Sequence, residues 1–157
     1  MQALDLHIRI HGWVLQQVQD VATAWCYTIG LIESYQHPEL VLMDVDPELQ
    51  RGLMTQLVEG IATSGGLTNE LLSRLGVRCV QVHQDHLRSD LFASWANRYG
   101  RFPQPGEILQ VLLPDDAYCE CHTSAQRRLD RPGPLPSGPR APNRAERRRR
   151  ARRGPGA

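Results

Sequence analysis

Lysine is absent from the chain, and aromatic residues make up only 6% of it. Arginine therefore carries all the fixed positive charge, and in the arginine-rich stretch at 141–153 no aromatic residues are interleaved as stacking on nucleic-acid bases requires. The four cysteines, Cys26, Cys79, Cys119 and Cys121, are too few and too irregularly spaced for the disulfide framework of a small secreted domain. No window holds the roughly 20 apolar residues that cross a bilayer, and the opening residues lack the basic, apolar and small-residue order of a signal peptide. These absences predict a cytoplasmic protein with reduced thiols and no membrane partner. There is no G-x-S-x-G elbow, no glycine-rich phosphate loop and no H-E-x-x-H pair, so none of the common motifs for a nucleophile, a phosphate cradle or a metalloprotease is present. No repeat of solenoid length is visible.

What is present is one domain's worth of apolar residues, 41% of 157, enough to bury a single core. The net charge of +1 conceals a split. Residues 1–122 hold 7 Arg against 15 Asp and Glu, and residues 123–157 hold 11 Arg against 2 acids. An acidic body thus precedes a basic tail. The tail is dominated by Pro, Gly and Arg and cannot bury enough surface to offset the entropy of ordering it. The expected organisation is a globular domain over residues 1–122 and a disordered tail over 123–157.

Along the body, Leu4, Leu6, Ile8 and Ile10 alternate with polar residues and predict a half-buried strand. Residues 13–18 predict a second strand, and residues 23–31 an interior one, since neither of its faces is charged. Gly30 is where that strand can bend or let another backbone approach closely. After the polar connection at 33–37, Pro38 leads into a strand over 40–45. Asp46 as N-cap and Pro47 at the first helical position open a helix whose apolar stripe runs from Leu49 to Ile61. Thr68 and Gly76 bracket a short helix over 69–75, and a strand is expected over 77–83. Ser89 or Asp90 can cap a helix over 89–99 that Gly100 stops, and residues 108–113 predict the last strand. The expected fold is α+β, with a single largely antiparallel sheet of five or six strands and two or three packed helices, followed by the disordered C-terminal tail.

The stretch at 25–44 offers the one local constellation with chemical potential. His11, Trp13, Tyr27, Thr28, Gly30, His37 and Glu39 are its candidate pocket, because imidazole and carboxylate together suit proton transfer near neutral pH. Three readings stand: plain packing with Glu39 exposed beside Pro38, a pocket for a small molecule or a protein partner, and an enzyme using His11, His37 and Glu39 as acid and base. Cys119, Cys121 and His122, with His83 or His86, have zinc-ligand chemistry but not zinc-ligand spacing, so no metal site is assigned and no cofactor is identified. In the tail, Arg144, Arg147, Arg148, Arg149, Arg150, Arg152 and Arg153 could neutralise phosphates and bind nucleic acid without sequence preference.

Several short motifs carry a resemblance: H-G-W at 11–13, Y-T-I-G-L at 27–31, H-P-E-L at 37–40, R-Y-G-R-F-P at 98–103 and the Pro-Asp after the last strand. Together, over about residues 8–116, the chain resembles a bacterial family of uncharacterised proteins, domain-of-unknown-function family 4262. A tryptophan often precedes the final Pro-Asp in that family, and Leu113 stands there here. The resemblance implies a bacterial source and gives no mechanism. The role expected from the whole sequence is a non-catalytic binding domain, with the acid–base enzyme and the nucleic-acid accessory protein as alternatives.

Overall fold

The computed structural model describes residues 2–20, 23–114 and 126–134. Among these residues, six helices and five strands follow in the order α1 (Gln2–His11), β1 (Val14–Asp20), β2 (Thr23–Ile29), α2 (Leu31–Tyr35), β3 (Glu39–Met43), α3 (Pro47–Ser64), α4 (Asn69–Leu75), β4 (Arg78–Gln81), α5 (Gln84–Leu87), α6 (Ala93–Tyr99) and β5 (Ile108–Leu112). A 3-10 turn over Asp90–Phe92 leads directly into α6. The strands form one sheet in the order β1-β2-β3-β5-β4. Three of its four pairings are antiparallel, and β3 with β5 is parallel.

Strand β3 is the centre of this sheet, and all five of its residues are buried. The two-residue period of a strand sends Leu40 and Leu42 to one face and Val41 and Met43 to the other, so two cores form. On the first face α3 lays Leu53, Met54, Leu57, Val58 and Ile61 against the sheet, with Leu71 of α4 beside them. On the second, Ile8 of α1, Leu87 of α5, Phe92 and Trp95 cover Tyr27, Ile29 and Ile108. The result is a sheet between two helical layers.

The caps follow the local chemistry of the sequence. Asp46 accepts from the amides of Glu48 and Leu49 at the start of α3, and Thr68 accepts from Leu71 at the start of α4. Ser89 caps the 3-10 turn by accepting from Leu91.

Residues 2–11 correct the expected first strand: they are helix α1. In a helix the alternating apolar residues separate into two i, i+4 pairs. Leu4 and Ile8 pack on the second core, while Leu6 and Ile10 stay 58% and 65% exposed. Asp5 in the first turn and Arg9 and His11 in the last suit the helix dipole, and Asp5 pairs with Arg98 of α6. Arg98 also bonds Glu33 at 2.6 Å, tying α1, α2 and α6 together. The expected polar connection after Gly30 is also helical, as α2.

A second difference lies past the sheet. Residues 126–134, which composition assigns to the tail, lie against the second face, with Gln126, Arg127 and Leu129 buried. The arginines at 144–153 and the trio Cys119, Cys121 and His122 fall outside the described residues. Among the described residues no helix is long and apolar enough to cross a membrane.

Candidate functional site

The family-like motifs at 27–31 and 37–40 meet around one buried carboxylate. Glu39, at the first position of β3, is completely buried, not exposed beside Pro38. Its Oε2 accepts from Thr28 Oγ1 at 2.7 Å and from the Leu31 amide at 3.2 Å, and its Oε1 accepts from the amides of Gly30 at 2.8 Å and Ile32 at 3.4 Å. Thr28 Oγ1 in turn accepts from the Leu40 amide at 2.9 Å. Glu39 therefore satisfies the first amides of α2, which its N-cap residue Gly30 has no side chain to reach. Gly30 sits at φ +115°, and a Cβ there would meet the Gly12 carbonyl oxygen at 2.7 Å. The H-G-W motif is thus packed directly against Y-T-I-G-L.

Burial pushes the Glu39 carboxyl up to about 7, against the downward pull of Thr28 and the three amides. The folded chain then holds this proton more tightly than the unfolded one, whose carboxyl titrates near 4.5. The stability gained is complete below pH 4.5 and is lost as pH rises through 7. We expect wild-type stability to fall by about 3 kcal/mol across this window relative to Glu39→Gln, which cannot ionise. Urea midpoints of both proteins at pH 5 and pH 8 check this.

The other predicted residues do not join this carboxylate. Tyr27 follows Cys26 and precedes Thr28 in one strand, so it faces the opposite core. There its hydroxyl accepts from the Ser94 amide at 3.2 Å and its ring meets Phe92 edge-on. His11 is exposed at the end of α1, its ring 4.4 Å from that of His7. His37 Nδ1 donates to the Pro38 carbonyl at 2.7 Å. Trp13 is half-buried against the first core. The structure thus brings Thr28, Gly30 and Glu39 together in a lock that holds backbone, with its acceptor atoms occupied.

The remaining titratable groups lead the same way. Burial pushes the Cys26 thiol up to about 12 and that of Cys79 up to about 11, which keeps both protonated and poorly nucleophilic. His83 accepts from the Asp85 amide as the cap of α5, and His86 Nε2 donates to the Arg131 carbonyl. Among the described residues no group of three or more His, Cys, Asp or Glu could hold a metal ion. A cleft of about 580 Å³ between α1 and α6 is lined by Asp5, Leu6, Arg9 and Arg98, none of which is in the predicted pocket.

A second polar arrangement lies where residues 126–134 cross β5, and the sequence reading does not contain it. Gln110 is completely buried. Its Nε2 donates to the Arg127 carbonyl at 2.6 Å and its Oε1 accepts from the Leu129 amide at 2.7 Å. Asp44, just past β3, accepts from the Arg127 amide at 2.9 Å and from the guanidinium Nε and Nη2 at 2.9 and 2.8 Å. Both partners of this ion pair have side chains only 7% exposed. Gln126 Nε2 donates to the Met43 carbonyl and its Oε1 accepts from the Leu113 amide. The His83 amide donates to the Leu129 carbonyl. The available sequence signal was a glutamine inside an otherwise apolar strand, since such a group is buried only with partners.

These features define a three-layer α+β domain whose sheet is pinned at one end by a glutamate lock and crossed by a later segment of the chain. The chain belongs to the family described as a domain of unknown function, DUF4262, which matches residues 7–118. No curated protein and no solved structure matches it.

Proposed function

We propose that this chain is a non-catalytic bacterial interaction domain of the cytoplasm, and that its binding surface is the second face of the sheet. The observation that carries this reading is the hold of Gln110 and Asp44 on residues 126–134: buried polar side chains of the domain seize a later segment of the chain by its backbone and by one arginine. The acid–base alternative loses support from the same geometry. The Glu39 carboxylate is filled by a hydroxyl and backbone amides, while His11 is in solvent and His37 faces a carbonyl. Nucleic-acid contact through Arg144, Arg147–150, Arg152 and Arg153 rests on their charge.

Native mass spectrometry of the full chain purified from a bacterial host tests the reading. The expected result is no bound small molecule or metal, and a polypeptide retained once Arg127→Ala and Leu129→Ala loosen residues 126–134. A retained small molecule lost on His37→Ala would return function to the central pocket. Nucleic acid retained by the full chain and lost when residues 123–157 are removed would move it to the tail.

A further inference from the structure

We infer that the groove along β5 recognises a peptide of a partner protein carrying Gln-Arg-Arg-Leu, and that residues 126–134 are its resident competitor. This rests on the interaction-domain reading above and names that domain's ligand. The groove is formed by residues that the family match covers, 7–118, whereas the segment within it lies beyond that match. Sheet and helical layers are complete without it.

The binding chemistry is that of ligand recognition. Gln110 presents one donor and one acceptor to the carbonyl of residue 127 and the amide of residue 129, the spacing at which a neighbouring parallel strand bonds an extended chain. These contacts hold any backbone. Sequence is read beside them. Asp44 takes the arginine in a bidentate grip, which a lysine could not reproduce. The Met43 carbonyl and Leu113 amide complement the two ends of the Gln126 carboxamide, and Leu129 enters the second core with no exposed surface. Beyond it, the Arg131 carbonyl reaches His86 and the Gly133 amide reaches Asp85.

The attachment of the segment decides how a partner must act. Gln126 bonds Leu113 directly at 2.7 Å, so the chain leaves the last strand and returns to its end after twelve residues. Competition by residues 126–134 is therefore intramolecular and independent of the concentration of the chain. A partner peptide of matching sequence is therefore outcompeted in the intact chain and gains access when the tethered segment is weakened.

The test uses the full chain carrying Arg127→Ala and Leu129→Ala, and a fluorescent peptide with the natural sequence of residues 126–134. Anisotropy is expected to show saturable binding at least tenfold tighter than to the wild-type chain. Adding Asp44→Asn to the protein, or replacing the first arginine of the peptide by alanine, is expected to remove that gain. Binding by the folded variant no tighter than wild type, or binding indifferent to Asp44→Asn, overturns the inference; the latter marks attraction of an arginine peptide to an acidic body. A wild-type dimer that dissociates on dilution and is lost in the doubly substituted chain would make the occupant a second copy and overturn it too. Hydrogen exchange on the wild-type chain covers a variant that fails to fold. Amides of Arg127, Leu129 and Gly133 that open while β3 and β5 stay protected support a displaceable segment. Opening only with the whole domain overturns the groove and leaves the interaction-domain reading to its own test.

Discussion

Gly30→Ala is expected to cost about 2–6 kcal/mol and to lower the thermal midpoint on the order of 10 °C or more. Two independent penalties combine. At φ +115° any β-carbon is strained, which costs about 1–3 kcal/mol. The same β-carbon would stand 2.7 Å from the Gly12 carbonyl oxygen and 3.1 Å from both Trp13 Cα and Ile8 Cγ2. Two of those three neighbours are backbone, so relief requires α1 and the start of β1 to move away from β2, an overpacking penalty of about 1–3 kcal/mol. Gly65→Ala isolates the first penalty, because Gly65 has φ +76° and open space where its Cβ would be. Thermal unfolding of the two variants beside wild type should show Gly65→Ala falling by about 1 kcal/mol and Gly30→Ala by several times more.

The same residues show what the sequence could and could not disclose. Gly30 was legible as a point of bending or close approach, since glycine in an apolar strand has few other uses. Its partner was not legible: the Gly12 carbonyl lies eighteen residues earlier and reaches Gly30 only because α1 turns back through Gly12 onto the sheet. Local signals located α3 and α4 well, because Asp46-Pro47 and Thr68 act on the amides of the next few residues. The period of two at residues 4–10 misled for a related reason. Alternation reports a strand only where a neighbouring strand can pair with it, and here Asp5 finds Arg98 and Ile8 finds the second core through a helix instead.

The candidate site divides in the same way. Thr28 and Glu39 meet because antiparallel pairing places Tyr27 opposite Val41, so the end of β2 lies beside the start of β3. Of the seven candidates, Thr28, Gly30 and Glu39 come together, while His11, Trp13, Tyr27 and His37 lie apart from them. Tyr27 adjoins Thr28 and so must face the other side of the sheet, a consequence of the strand period that was available from the start. The groove along β5 lay beyond sequence reasoning. Asp44 in the groove and the Arg127 it holds are 83 positions apart, and the segment supplying Arg127 has the composition of a solvated tail. Composition averages over a window, whereas three buried side chains suffice to hold this segment down.

The largest test of that hold is Asp44→Asn. Asparagine keeps the shape of the side chain and tolerates the left-handed backbone at φ +58°, so the change removes charge with little else. Leaving a buried guanidinium without its carboxylate ordinarily costs about 3–5 kcal/mol. That full loss would appear in the urea midpoint if Arg127 were a fixed part of the core. A segment attached only by its tether has another course, because it can leave and return the guanidinium to water. The loss in global stability is then capped at the free energy with which residues 126–134 dock. Exchange at Leu129 and Gly133 is expected to accelerate toward that of an unstructured peptide, while the β3 and β5 amides retain most of their protection. Urea unfolding and amide exchange on this one variant thus separate a domain that has acquired an extra piece of core from one that carries a ligand of its own.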